Sequence, residues 1–143
     1  PVLEAIQQMW HRELGIEVEL IQQEARVHIA ALRAGDYDIG FITSIPDVAD
    51  PGGILDEFRS GRPGNYPRWS SAAYDAALDA AAGATDAATR LERLAAAERI
   101  LIAEQPVAPL YFNVKNYLID PAVKGWQEDG LWTRFYRDVS IAR

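Results

Sequence analysis

Ile16-Glu17-Val18-Glu19-Leu20 and Tyr37-Asp38-Ile39-Gly40-Phe41-Ile42-Thr43-Ser44-Ile45 frame one helical stretch between them. In the first, apolar residues alternate with glutamates, the period of a strand with one face in a core. The second is nearly continuous in apolar residues, the pattern of a strand covered on both faces. Between them, Arg26 to Ala34 places Val27, Ala30, Ala31 and Ala34 on one helical stripe, and Gly35 stops it. Strand, helix and strand within about 30 residues predict a βαβ unit with parallel strands and a right-handed crossover.

Upstream, Val2, Leu3, Ile6, Met9, Trp10 and Leu14 follow helical spacing, and Gly15 is placed to end that helix in a left-handed conformation. Downstream, Pro46 to Ser71 is rich in Pro, Gly, Asp and Ser, with one short helical patch at Ile54, Leu55 and Phe58. A long irregular segment of this kind inside a compact domain is often functional. Ser70 or Ser71 then caps a helix through Tyr74, Ala77, Leu78 and Ala81 that closes near Gly83. Thr85 or Asp86 caps a longer one through Leu91, Leu94, Ala95, Leu101 and Ile102, ended by Pro106. The two are expected to form an antiparallel hairpin against the sheet. Beyond them, Val107–Val114 and Asn116–Ile119 read as short strands around Lys115, with further extended pieces at Val123–Trp126, Leu131–Tyr136 and Val139–Ile141. This aromatic-rich tail looks like edge strands that expect a partner.

The formal net charge of -7, with no Lys/Arg run, argues against a nucleic-acid binder, which needs a basic face to replace phosphate counterions. An acidic surface suits solubility or a cationic ligand. The absence of cysteine removes disulfides, thiolate metal sites and cysteine nucleophiles. No stretch approaches the roughly 20 apolar residues of a membrane span. The chain starts at Pro1 without a methionine or a signal peptide and enters a helical pattern at once, which reads as a trimmed start.

The order of motifs resembles the extracytoplasmic solute-binding proteins of family 5, the peptide and nickel receptors of ABC importers. The matching pieces are Leu14-Gly15-Ile16-Glu17-Val18-Glu19-Leu20, Leu32-Arg33-Ala34-Gly35-Asp36-Tyr37-Asp38 and Asp47-Val48-Ala49-Asp50-Pro51 with Ile54-Leu55. They continue through Tyr74-Asp75-Ala76-Ala77-Leu78, Arg90 to Leu101 with Ala97-Glu98, Pro106-Val107-Ala108-Pro109-Leu110-Tyr111 and Val123-Lys124-Gly125-Trp126. Each is weak alone; seven in order over nearly the whole chain are specific. Family members are much longer, so the resemblance implies the C-terminal part of one. It implies an α/β fold: the βαβ-containing lobe of a type II-like periplasmic binding protein, with a helical hairpin and C-terminal strands. Residues 1–106 would be part of the ligand-binding lobe, and 107–143 the hinge or crossover strands and tail. The protein would be periplasmic or a cell-surface lipoprotein and would close two lobes on a solute for an ABC permease. The resemblance implies no catalysis and no cofactor. An isolated chain of this kind is expected to pair with a second copy through its tail edges.

The candidate ligand-binding residues are Asp47, Ser44, Ile45, Trp69 and Tyr111. Ligands of open α/β sheets bind beyond the carboxyl ends of the strands, where Ser44, Ile45 and then Asp47 fall. In peptide-binding relatives the aspartate of this motif receives the ligand's amino terminus; otherwise Asp47 caps a turn. Asp50, before Pro51, reads as structural. Ser44 stands where peptide receptors often carry tryptophan, and Ala25 falls on another pocket tryptophan, so the pocket is wider or differently filled. Trp69, with Asn65 and Tyr66, is a cleft residue or a hydrophobic anchor for its loop, and Tyr111 and Phe112 face the cleft or fill a core.

Two other classes compete. Asp36, Asp38, Asp47 and Asp50 are numerous enough for a carboxylate-based hydrolase, but they flank opposite ends of one strand, and no nucleophile motif or phosphate loop accompanies them. His11 and His28 lack a third metal ligand. A ligand-sensing domain of a regulator would share the same lobe.

Overall fold

A computed structural model describes residues 2–114, 116–129, 131 and 133–142. Expectations that fall on Pro1, Lys115 and Trp132 lie outside them. The chain divides into two compact units, one ending at Asp38 and the other starting at Ile39.

The first unit holds α1 (Val2–Leu14) and α2 (Ala25–Ala34). Gly15 ends α1 at φ 65°, donating its N–H to His11 at 3.1 Å. Glu24 caps α2 by accepting from the Arg26 N–H. Gly35, at φ 77°, and Asp36 return their N–H groups to Leu32 and Ala31, which satisfies carbonyls the helix leaves open. Gln7 donates to the Val18 carbonyl and ties the extended segment 16–20 to α1.

The second unit contains α3 (Pro51–Glu57), α4 (Ala72–Ala82) and α5 (Ala87–Glu104). Of the two candidates the sequence offers for each helix, Ser71 caps α4 and Asp86 caps α5. Leu55 from α3, Tyr74, Leu78 and Ala81 from α4, and Leu94, Ala97 and Leu101 from α5 make one core. Each leucine contributes about 1.5–3 kcal/mol by leaving water. Alanines at 81 and 97 let the α4–α5 hairpin close tightly. The fully buried Tyr74 hydroxyl donates to the Leu55 carbonyl at 2.5 Å, joining α4 to α3. Gln105 then turns left-handed at φ 54° and Pro106 follows, so α5 stops where expected.

The expected ladders are corrected. Among the described residues neither 16–20 nor 37–45 lies in a β-ladder, and the helical hairpin packs on α3, with no sheet beneath it. Ile16, Leu20, Ile39, Ile42 and Ile45 stay exposed, Ile39 by 70%. A strand is a property of a pair: apolar alternation prepares a face, and only a neighbour's backbone makes the ladder. The described parts of 107–119 likewise lie in no ladder.

The tail does form short antiparallel pairs. β1 (Val123–Lys124) pairs with β4 (Ser140–Ile141), and β2 (Gln127–Glu128) with β3 (Arg134–Phe135). Gly125, at φ 72°, permits the first pair: a Cβ there would lie 2.0 Å from the Asp138 carbonyl oxygen.

Candidate functional site

Ser44 and Ile45 lie outside regular structure before α3 and Asp47 opens the bend that leads into it; all three are exposed. Val48 and Pro46 flank Gly53, so the segment rests on the first turn of the helix. Ser44 turns towards the other end of α3: its hydroxyl lies 2.9 and 2.7 Å from the two carboxylate oxygens of Glu57. Asp47 thus stands on a short bridge held at Ser44 and at α3.

Asp50 fixes the far side of that bridge. Its side chain accepts from the Gly52 N–H at 2.8 Å and caps α3. Both its oxygens also meet the Arg90 guanidinium of α5, at 2.6 and 2.8 Å. The fork from Arg90 holds the Asp50 carboxyl below its usual range, against the opposing effect of burial. Asp50 is therefore structural, as the sequence suggests. Its partner stood forty residues away within the matched Arg90–Leu101 motif, where no local pattern announced the pairing.

The loop after α3 is organised by Asn65. Its buried amide donates to the Trp69 carbonyl at 2.6 Å and to the carbonyls of Arg59 and Phe58, and its oxygen accepts from the Trp69 N–H. Trp69 packs edge-on against Tyr74, with ring centroids 4.8 Å apart, and donates its indole N–H to Glu104 at 2.8 Å. These contacts anchor the loop, one of the two roles the sequence leaves open for Trp69. Tyr111 is half exposed on the extended segment beyond α5, and Phe112 is almost fully exposed. The structure brings Ser44, Ile45 and Asp47 together on one segment; Trp69 is bound into the helical core.

The tail builds a concave feature. An open cavity of about 300 Å³ is lined by residues including Tyr117, Asp120, Val123, Trp126 and Arg134. The Arg134 guanidinium lies 5.5 Å from the Tyr117 ring centre and 5.7 Å from that of Trp126. Among the described residues, no group of three His, Cys, Asp or Glu is placed to hold a metal. His11 pairs with Glu17 at 2.7 Å. No helix among the described residues is long and apolar enough to cross a membrane.

Helices around a buried core, extended apolar segments and small antiparallel pairs put the chain in the α/β class. No family model matches it. It is 35% identical over 139 residues, 96% of its length, to the oligopeptide-binding protein OppA of Bacillus subtilis, of which it covers 26%. It is 32% identical over 122 residues to the periplasmic murein peptide-binding protein MppA of Escherichia coli, covering 85% of this chain and 23% of that one. The solved structure of that murein tripeptide-binding protein superposes with a TM-score of 0.90 at 29% identity, over 99% of this chain and 28% of the other. The Haemophilus influenzae OppA complex with the peptide RPPGFSPFR superposes at 0.86 and 29% identity, with the same coverage. The relatives it matches include oligopeptide-, dipeptide- and murein peptide-binding proteins and one probable deoxycholate-binding protein. The chain spans about a quarter of the length of the relatives it matches.

Proposed function

We propose that this chain is the C-terminal part of an extracytoplasmic receptor that binds peptide-like solutes for an ABC importer and catalyses no reaction. The observation that carries the reading is the 35% identity along almost the entire chain to an oligopeptide-binding protein. A solved relative is the substrate-binding domain of an oligopeptide ABC transporter, which supports the permease as partner. Residues 1–106 would form part of one lobe and 107–143 the crossover and tail.

In this reading Asp47 accepts the positively charged amino terminus of the ligand. Its exposure on a segment pinned at Ser44 and Asp50 supports the role, because a held backbone loses little freedom on binding. Ser44 and Ile45 line the adjoining wall, and Tyr111 contributes from the crossover. Trp69 acts indirectly by holding the loop after α3. Closure of the lobes would exclude water and strengthen the contact to Asp47.

The test is a thermal-shift screen of the complete receptor with di- and oligopeptides, nickel chelates and oligosaccharides, repeated with Asp47→Ala. Ligand binding raises the melting temperature with affinity. A peptide-induced rise that Asp47→Ala abolishes supports both receptor and site. A rise the variant retains removes Asp47 from the site, and no rise with any peptide overturns the peptide-receptor reading.

Exposed Leu110, Phe112, Val114 and Leu118 on an unladdered backbone also support self-association of the isolated chain. Sedimentation showing only monomer at high concentration would remove that proposal.

A further inference from the structure

The last turn of α3 carries two neighbouring acids in opposite circumstances. Asp56 is matched by the guanidinium groups of Arg59 and Arg62. Glu57 is half-buried, and among the described residues no Lys, Arg or His forms an ion pair with it. The Ser44 hydroxyl spans both its oxygens. A hydroxyl has one proton to donate and carries no charge, so the carboxylate is oriented but not neutralised. The end of a helix presents open carbonyls and partial negative charge, so an unmatched acid there works against the helix. Gly64 lies beside its stem, where an added Cβ would stand 3.6 Å from that of Glu57. The fold thus fixes a carboxylate at an unfavourable position and leaves its charge for a group from outside. The residue that orients it, Ser44, precedes Asp47 by three positions on the same segment.

We propose that Glu57, positioned by Ser44, is a specificity residue of the ligand site. It selects solutes with a second cationic group near the amino terminus, namely peptides whose first residue is lysine or arginine. The inference rests on the receptor reading above and adds to it a preference set by this chain's own residues. Asp47 takes the α-ammonium group, which every peptide has. Glu57 takes the side-chain cation, which only basic first residues have. A hydroxyl in place of a large aromatic wall leaves room for that side chain.

The experiment is calorimetric titration of the complete receptor with lysyl-alanyl-alanine, trialanine and glutamyl-alanyl-alanine. The lysyl peptide is expected to bind about tenfold tighter than trialanine, the size of one charge-assisted contact, and the glutamyl peptide weaker than both. Glu57→Gln, which still accepts from Ser44, is expected to bind trialanine as the parent does and to lose the lysyl preference. Asp47→Ala is expected to weaken all three. Retention of the lysyl preference in Glu57→Gln overturns the inference while leaving the receptor reading intact, as does a parent that binds lysyl and alanyl peptides equally. A folded parent that binds none of the three overturns the receptor reading and this inference with it. Should Glu57→Gln melt well below the parent, Ser44→Ala replaces it: the carboxylate released from the hydroxyl is expected to lose part of the lysyl preference, and a preference unchanged in Ser44→Ala overturns the inference.

Discussion

Asp50 and Arg90 face each other as a two-pronged ion pair, with oxygen–nitrogen distances of 2.6 and 2.8 Å, and they join the first turn of α3 to the first turn of α5. The same carboxylate caps α3 through Gly52. The pair therefore fixes the direction in which the segment carrying Asp47 enters the helix.

Loss of that carboxylate should be felt twice. Asp50→Ala is expected to lower stability by about 1–2 kcal/mol from the missing cap alone, with a further loss from the uncompensated guanidinium. Arg90→Ala should cost less, because Asp50 keeps its bond to Gly52. Urea unfolding of both single variants and the double variant measures the coupling. Additive losses would show that the pair contributes nothing.

Acid should erase the same contribution. Arg90 holds the folded-state Asp50 carboxyl below its ordinary value of 3.8. Between the folded and unfolded values the unfolded chain binds more protons, so stability rises with pH there. The advantage of the parent over Asp50→Asn should be constant above the ordinary carboxylate value and shrink as pH falls through the folded-state value. A difference that stays constant to the lowest pH would mean that Asp50 is not ionised in the fold.

Tyr74 tests the helical core. Tyr74→Phe leaves the buried Leu55 carbonyl without its 2.5 Å donor and should cost about 1–3 kcal/mol. Burial raises the pKa of the phenol well above its ordinary value. Its tyrosinate absorbance should therefore appear in alkali only together with unfolding, seen in parallel by circular dichroism.

Gly125 tests the tail. Gly125→Ala meets the Asp138 carbonyl at 2.0 Å and places a side chain at φ 72°, so a local cost of at least about 1–3 kcal/mol is expected. Hydrogen exchange should rise at the β1–β4 amides and stay at the parental level in α4 and α5. Unchanged protection at the Ala142 amide, which donates to the Ala122 carbonyl, would show that the backbone accommodates the methyl group.

Much of this was legible in local patterns. Gly15 and Gly35 announce the ends of α1 and α2, Ser71 and Asp86 cap their helices, and the spacing of Leu78, Leu94 and Leu101 marks the core faces of the hairpin. Caps and helical stripes depend on residues within four positions of one another, so a single segment specifies them. The segment containing Asp47 was likewise legible through its motif.

Other features were settled only in three dimensions. The sequence alone set the helices, their termini and the apolar character of 16–20 and 37–45. It did not set their ladders, because strand pairing depends on a backbone elsewhere. The tertiary structure alone paired Asp50 with Arg90, Ser44 with Glu57 and Trp69 with Glu104. Those partners lie from thirteen to forty positions apart. Which polar groups meet over such separations is decided by the packing of the helices that carry them, a property of the whole core and of no single stretch of residues.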